Sequence, residues 1–568
     1  MAWRFRWAVC QLDALRACKK VSAIRSALTQ LPKTLDETYA RILGNISESD
    51  IDEALSILRW IAFSNRPLTL QELAEAAVVK ADIDCIDPDD RLCCAEDVLR
   101  ICQGLLSLST EKLQICSRLV DRDVVRFAHF SVLEYLTSDR AGQFRISDKS
   151  SNEHISKCCF SYLLQTCQLD VSAQSLEDYP LLRYCAEYWF KHFQKQEGSP
   201  LSNKTWSDRL YKFFYNSGTT FINWLRIWDP DPEYPSYRFS KTATEFPSAL
   251  RYASFYGFLD ITKRLLETQR ERYNEPKHFI DAMRGAAMNG HYELTQLLIE
   301  SGADASMKSK YKTSPLIAAC IGGHYQTVLL LLDHGAEINS LDYVSTALYC
   351  AAEKGHDQIV DLLFKRGADA NMYSNESGGS PLQVAIHYGC ANIALRLLQE
   401  GADINTKGGL YGEPLSIACA KGYKDMVQLL INKGADVNGY GSEENGNPLM
   451  RASAGGFSDI VEILLKAGAA VSGSGGTTWG SALEIASTKG YFDVVKLLAE
   501  AGADVNYFSW FPPHLPLEAA EENGDERIIQ LLLDHGAKRK QELLDSKIED
   551  TSLLFGVDDK IENEKSKS

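Results

Sequence analysis

The chain has 568 residues, enough for three or four domains, and its 45% hydrophobic and 24% charged residues are the balance of a folded soluble protein. Its formal net charge is −16, and residues 250–537 hold 35 acidic against 23 basic side chains. An acidic surface repels phosphate backbones, which disfavours nucleic acid as a partner. No apolar run approaches the ~18 residues that a membrane-spanning helix needs.

The number and spacing of the cysteines indicate the cellular compartment of the protein. The fifteen cysteines are an odd number, and no two of them form a Cys-x-x-Cys pair. Cys320, Cys350 and Cys419 occur at one phase of a repeated apolar pattern, where a thiol acts as a small hydrophobic group. We therefore predict free thiols and a cytoplasmic location, with the nucleus as the alternative.

Two regions are predicted before residue 141. Residues 1–48 form a helical segment, and residues 49–140 form a winged-helix domain. In that domain, Ile51 to Phe63 has the apolar spacing of a helix. Thr69-Leu-Gln-Glu72 is a capping box that opens a second helix, and Ser131-Val-Leu-Glu134 is predicted to be another capping box.

Two strands complete the predicted winged helix. Residues 113–119 and 124–128 alternate as strands do, with Val120-Asp-Arg-Asp123 as the turn between them. The usual function of this arrangement is DNA binding. The presumed recognition helix, however, carries Glu72 and Glu75 where a groove-reading helix needs cations, so a packing module is favoured.

Residues 141–246 are predicted to be a helical connector. Tyr184, Tyr188, Trp189 and Phe193 lie on one face of a helix, and core packing is favoured over a ligand-binding box. At the other end of the chain, residues 538–568 mix charges with few large apolar side chains, which predicts a disordered tail.

Between these regions, residues 247–537 contain nine copies of a unit of 32 to 34 residues. A fixed period of this length predicts an array of stacked helix pairs. The second helix of each copy has an apolar stripe, so Leu429 and Leu430 are expected to be buried. Two glycine series are expected to end the helices in left-handed conformation. They are Gly257, Gly290, Gly323, Gly355, Gly389, Gly422, Gly456, Gly490 and Gly524, and Gly302, Gly335, Gly367, Gly401, Gly434, Gly468, Gly502 and Gly536.

The repeat resembles the ankyrin repeat. Thr313-Ser-Pro-Leu316, Ser380-Pro-Leu382, Asn447-Pro-Leu449 and Leu515-Pro-Leu517 keep the family's Pro-Leu at the start of the first helix. None has the family's histidine after the leucine, which puts that histidine's hydrogen bond in doubt. The resemblance implies a mainly α fold, in which a winged-helix module and a helical connector precede an α-solenoid of about nine ankyrin repeats.

The N-terminal part resembles a second family. The segments are Leu31-Pro-Lys-Thr-Leu-Asp-Glu-Thr-Tyr-Ala-Arg-Ile42, Arg66-Pro-Leu-Thr-Leu-Gln-Glu-Leu-Ala74 and Phe127-Ala-His-Phe-Ser-Val-Leu-Glu-Tyr-Leu136. They are similar to the region after the nucleotide-binding domain of fungal NACHT–ankyrin proteins, which are STAND-class, NOD-like-receptor-like signalling ATPases. The winged helix in those proteins is also named after GPI inositol-deacylase.

This second resemblance implies a function. The chain would be the sensor part of a fungal signalling protein for self/non-self recognition. A NACHT domain would lie before residue 1 and could contact the winged helix. Two alternatives stay open, a C-terminal fragment of an active NACHT NTPase and an ankyrin adaptor for a ubiquitin ligase.

Motifs of catalysis are absent from the sequence. It contains no Gly-x4-Gly-Lys-Ser/Thr phosphate loop, no His-Glu-x-x-His zinc motif and no Gly-x-Ser-x-Gly elbow. His129 lies beside Ser131 and could act as a base, but a packed, hydrogen-bonded role is favoured. We predict no enzymatic activity, no cofactor and no metal.

Binding of protein partners is therefore predicted on the array. The ankyrin resemblance implies a concave binding face at turn tips and at the two residues before each first-helix glycine. The candidate residues are Tyr311, Tyr343, Glu353, Lys354, His387, Tyr388, Tyr411, Lys421, Tyr440, Trp479 and Trp510. Tyr411 and Trp479 share one phase of the repeat, so stacking between turns is the alternative. The convex second helices are predicted to be a solvated face without an apolar anchor, with Asp361, Lys365, Arg366, Asp425, Gln428 and Lys433.

Overall fold

A computed structural model of the protein divides into two compact units, residues 1–274 and residues 275–568. The structure describes residues 20–21, 34–81, 83, 88–115, 118–167, 171–172, 174–195, 204–215, 219–230, 246, 248–269, 273, 276–307, 313–342, 345–372, 379–409, 411–439, 446–472, 480–507 and 514–542.

The first unit begins with a winged-helix arrangement of short helices and one small sheet. Its helices are α1 (Leu35–Gly44), α2 (Ile51–Phe63), α3 (Leu70–Val78), α4 (Asp97–Ile101) and α5 (Phe130–Leu136). Its strands are β1 (Leu68–Thr69), β2 (Leu106–Ile115) and β3 (Arg118–Phe127), in the antiparallel order β1-β3-β2. The predicted capping box of α3 is confirmed. The Thr69 amide donates to Glu72 Oε2 at 2.8 Å, and the Glu72 amide donates to Thr69 Oγ1 at 3.2 Å.

The hairpin differs from the sequence prediction. β2 pairs with β3 from Leu106 opposite Phe127 to Ile115 opposite Arg118, so the predicted turn at residues 120–123 lies inside β3. These charges belong to exposed cross-strand pairs, such as Arg122 opposite Glu111. A run of charged residues therefore marked a solvated strand face and not a turn.

The predicted capping box at Ser131 is also wrong. Helix α5 begins at Phe130, two residues earlier than a Ser131 cap implies, and the residue that caps it is His129, whose Nδ1 accepts a hydrogen bond from the Ser131 amide at 3.2 Å. The Ser131 hydroxyl is buried and lies 2.8 Å from the Tyr39 hydroxyl of α1. Because this serine joins α5 to α1, the histidine takes the capping role, and His129 is the packed, hydrogen-bonded residue that the sequence predicts.

The rest of the first unit is helical. Its elements are α6 (Asp148–Thr166), α7 (Ser175–Asp178), α8 (Leu182–Gln194), α9 (Lys204–Tyr215), α10 (Thr219–Ile227), α11 (Ala249–Phe255) and α12 (Leu259–Thr268). Trp189 is 1% exposed, and its ring lies 5.5 Å from Phe160, 5.7 Å from Tyr256 and 6.3 Å from Trp224. The aromatic residues thus form a core, as predicted, and this core joins the connector to α11 and α12 of the first repeat.

A fully buried histidine lies beside that core. His192 Nδ1 is 2.7 Å from Asn152 Oδ1, and its Nε2 is 2.8 Å from the Tyr184 hydroxyl. The amide oxygen can only accept, so Nδ1 carries the proton and Nε2 accepts from Tyr184. Burial, and then the charge of Lys195, lowers the pKa of His192 to about 3.

This histidine predicts a loss of stability in acid. In the unfolded chain it titrates near 6.5, so its contribution is fully present above that pH and falls as the pH drops from 6.5 toward 3. For one such group the slope is about 1.4 kcal/mol per pH unit. We expect the melting temperature, followed by tryptophan fluorescence, to be lower at about pH 5 than at pH 7. In the His192→Gln variant the difference between the two melting temperatures should be smaller. An equal pH dependence in the variant would contradict the assignment.

The second unit contains eight further helix pairs in its described residues. They are α13 (Pro276–Met288) with α14 (Tyr292–Glu300), α15 (Pro315–Gly322) with α16 (Tyr325–Asp333), α17 (Ala347–Lys354) with α18 (Asp357–Lys365), α19 (Pro381–His387) with α20 (Ala391–Gln399), α21 (Pro414–Lys421) with α22 (Lys424–Asn432), α23 (Pro448–Ala454) with α24 (Ser458–Lys466), α25 (Ala482–Lys489) with α26 (Phe492–Glu500), and α27 (Pro516–Asn523) with α28 (Glu526–Asp534). With α11 and α12 they make nine repeats. All seventeen glycines of the two predicted series have positive φ, between 70° and 101°.

Asparagine side chains join successive turns of this unit. Asn371 Nδ2 donates to the Gly401 carbonyl at 2.9 Å, and its Oδ1 accepts from the Asp403 amide at 2.7 Å. Asn339, Asn438 and Asn506 make the same two bonds to the repeats that follow them. Buried apolar stripes complete the stacking, and Leu430 has no exposed surface. The expectation for Leu429 is only partly met, because this residue is half-buried.

Candidate functional site

The ends of the first helices in repeats four to six bring most of the described candidate residues together. Helix α17 ends with Glu353 and Lys354, α19 ends at His387 with Tyr388 as its cap, and α21 ends at Lys421. Tyr388 is the most exposed aromatic residue among them, with 52% of its surface accessible. Repeat stacking places these helix ends next to one another, because successive first helices pack side by side.

Four aromatic rings form the centre of this surface. The His387 ring lies 4.1 Å from the Tyr411 ring and 5.1 Å from the Tyr388 ring, in tilted and edge-on arrangements. Tyr349 of repeat four is mostly buried, and burial, followed by the neighbouring Tyr411, raises its pKa. We call Tyr349, His387, Tyr388 and Tyr411 the aromatic surface.

Electrostatics keep the aromatic surface uncharged. Burial, and then the nearby charge of Lys421, lowers the pKa of His387 below its usual value, which favours the neutral ring at neutral pH. Burial, and then the neighbouring Tyr388, raises the pKa of Tyr411, so its hydroxyl stays protonated. The surface offers ring faces and hydroxyl groups, the features of interface anchors.

Gln383 holds the loop that carries Tyr411. Its Nε2 donates to the carbonyl of Gly412 at 2.6 Å and to that of Gly408 at 2.9 Å, on both sides of Tyr411. Sequence reasoning missed this residue. It stands after Leu382, where the ankyrin family has histidine. The hydrogen bond that this histidine makes in the family is replaced here by hydrogen bonds of the Gln383 side-chain amide. The sequence feature that could have identified Gln383 is Ser380, because the two residues form a capping box that fixes the glutamine side chain.

The charged candidates differ in their surroundings. Lys354 Nζ lies 3.2 Å from Glu353 Oε1, so these two charges compensate each other. Lys421 is exposed and has no ion pair within the part of the chain that the structure describes. Tyr411 stacks on a helix-end histidine, which is a different contact from the predicted alternative of turn-on-turn stacking. Five candidates lie outside the described residues, namely Tyr311, Tyr343, Tyr440, Trp479 and Trp510.

Two other histidines of the array join successive repeats. His324 Nε2 lies 3.0 Å from the Met288 carbonyl, and His356 Nε2 lies 3.3 Å from the Ile321 carbonyl, so each joins its repeat to the previous one. Among the described residues, no group of three or more His, Cys, Asp or Glu could hold a metal ion. Within those residues there is also no helix with the length and apolarity of a membrane span.

Comparisons with known families agree with this architecture. Residues 250–342, 283–374, 342–408 and 415–509 match the family described as "Ankyrin repeats (3 copies)". Residues 47–147 match the "GPI inositol-deacylase, winged helix domain". The chain is therefore a mainly helical protein in which a winged-helix domain precedes ankyrin repeats, and repeats of this kind generally mediate protein–protein binding.

One curated relative and one solved structure complete the comparison. The chain is 32% identical over 241 residues to the "Azaphilone pigments biosynthesis cluster protein L" of Monascus ruber. The match covers 40% of this chain and spans half the length of that fungal protein. The human ASB11 ankyrin repeat domain matches with 22% identity and a TM-score of 0.31, over 45% of this chain and 98% of that domain.

Proposed function

We propose that this protein is a non-enzymatic scaffold that binds a protein partner through the aromatic surface of repeats four to six. The observation that carries the proposal is the contact of His387 with Tyr388 and Tyr411 at the exposed ends of the first helices. Rigid aromatic side chains on rigid helices lose little entropy on binding, which makes them effective anchors.

We further propose that the scaffold is the sensor part of a fungal STAND-type signalling protein, acting in the cytoplasm in self/non-self recognition. The winged-helix match supports this, because that module accompanies the nucleotide-binding domain in the family that the N-terminal segments resemble. The fungal relative also supports it. The buried thiols of Cys320, Cys350 and Cys419, whose pKa values burial raises, suit a reducing compartment.

The binding face is tested by a double substitution. His387→Ala with Tyr388→Ala removes two rings from the centre of the surface while leaving the repeat core intact. We expect capture of the partner from cell extract to weaken by at least about 2 kcal/mol, roughly thirtyfold in Kd, because central aromatic anchors dominate binding energy. Thermal melting should stay nearly unchanged.

The matched control lies on a second helix. Gln358→Ala with Lys365→Ala removes two exposed side chains of α18 in repeat four. Arg366 is left in place because it pairs with Asp333 of the preceding repeat at 2.7 Å. The control should neither weaken capture nor change the melting. If it weakens capture while the aromatic pair does not, the binding face is wrongly placed.

A second expected result concerns nucleotides. The sequence has no Gly-x4-Gly-Lys-Ser/Thr loop to hold phosphates. Purified chain should therefore show no heat of ATP or GTP binding in calorimetry and no release of phosphate. Binding with micromolar affinity would show that the protein has a nucleotide site, and the scaffold proposal would then fail.

A further inference from the structure

An apolar groove lies between repeats five and six, beside the aromatic surface. It has a volume of about 620 Å³, and its apolar lining comes from Ile386, Ala391, Leu395, Met426, Leu429 and the ring of Tyr423. Lys424 and Asp425 also line it, and Lys424 pairs with Asp459 at 2.7 Å. The second helices are exposed and charged at this point, as predicted, but the expectation that they offer no apolar anchor is wrong.

Repeat five has a small residue beside the groove, at a position where three other repeats have an aromatic ring. Ala391 is the first residue of α20. The same position is Tyr292 in repeat two, Tyr325 in repeat three and Phe492 in repeat eight. An aromatic ring is thus compatible with the repeat fold at this position, and in repeat five Ala391 lines the groove beside apolar side chains of α20 and α22.

The groove is continuous with the aromatic surface. Tyr388 is followed by Gly389, and Lys421 is followed by Gly422, and both glycines line the groove. One bound segment could therefore contact Tyr388 and reach the groove without crossing a gap. Lys421 lies at this junction, where it is exposed and has no ion pair within the described residues.

We propose that the groove receives one large apolar side chain of the same protein partner, next to a single carboxylate that pairs with Lys421. This inference rests on the proposed function and names the partner's chemistry. An apolar side chain removes the lining from water, at roughly 25 cal/mol for each Å² covered. Asp425 and the acidic excess of the array disfavour a longer acidic tract.

Filling the groove tests the proposal. Ala391→Tyr gives repeat five the residue that repeats two and three already have, so the variant should fold and melt as the wild type does. Random short peptides displayed on phage are panned against the full chain, and the strongest binder is synthesised with a fluorescent label. We expect enriched peptides to combine a large apolar residue with a nearby Asp or Glu. Ala391→Tyr should weaken that peptide at least about tenfold in fluorescence anisotropy, as loss of a central anchor does.

Two further variants separate the possible outcomes. Ser458→Tyr places the same aromatic ring at the equivalent position of repeat seven, and it should leave the affinity for the peptide unchanged. A peptide that needs His387 and Tyr388 but tolerates Ala391→Tyr would overturn the groove proposal and leave the proposed function standing. Enriched peptides without the apolar and acidic pair would do the same. If no peptide is enriched, or if binding survives both the aromatic double variant and Ala391→Tyr, both proposals fail.

Discussion

Leu430→Ala should destabilise the centre of the array by about 2–5 kcal/mol, the range for large-to-small changes in a packed core. Leu430 has no exposed surface and lies on α22, the second helix of repeat six. Its own carbonyl also accepts the amide of Ala435 at 3.0 Å, at the end of the same helix. The substitution leaves that carbonyl in place, so the cavity weakens the packing of α22 on the neighbouring repeats.

The loss should appear locally as uncoupling. In an array stabilised by nearest-neighbour contacts, weakening one repeat releases the repeats on either side before the distant ones. We expect faster hydrogen exchange across residues 400–470 and little change near either end of the array. Leu533→Ala, on the second helix of repeat nine with 41% exposure, is the control and should have a small effect. Unchanged exchange across residues 400–470 in Leu430→Ala would contradict the packing described here.

Trp189→Ala should have an effect of similar size in the first unit. Removing a buried tryptophan typically costs about 3–5 kcal/mol, since the transfer energy is lost and the cavity closes only partly. The Trp189 ring contacts Phe160 of the connector and Tyr256 of the first repeat, so the substitution removes one of the contacts that join them. We expect α11 and α12 to exchange amide hydrogens faster while the winged helix keeps its protection.

The matched control for the tryptophan is an exposed aromatic residue of the same unit. Phe130 is 57% exposed, and Phe130→Ala should change the melting temperature little. If Trp189→Ala melts as the wild type does, or if α11 and α12 keep their protection, the connector is not what stabilises the first repeat.

The array was predictable because the same structural requirements recur in every repeat. The left-handed glycine at the end of a helix is required in each copy, so Gly355 and its equivalents revealed period, helix ends and register at once. The helix Ile51–Phe63 was predictable for a related reason, since local apolar spacing and the break that follows determine it. The exposed aromatic pair His387-Tyr388 stood out because folding does not require those residues.

The remaining features depend on contacts that are distant in sequence. The strand bounds followed from pairing across the hairpin, and the cap of α5 followed from the bond between Ser131 and Tyr39. The role of Gln383 depends on carbonyls 25 and 29 residues further along the chain. The groove is lined by residues of two repeats, from Ile386 to Leu429. None of these partners can be chosen from local pattern alone.

The central claim is that the first helices of repeats four to six bind the partner, and hydrogen exchange of the full chain with and without bound partner tests it most directly. We predict slower exchange on binding at residues 347–354, 381–389 and 411–423, with the second helices α18 and α24, which do not line the groove, unchanged. Protection confined to those second helices, or to the winged helix, would contradict the account.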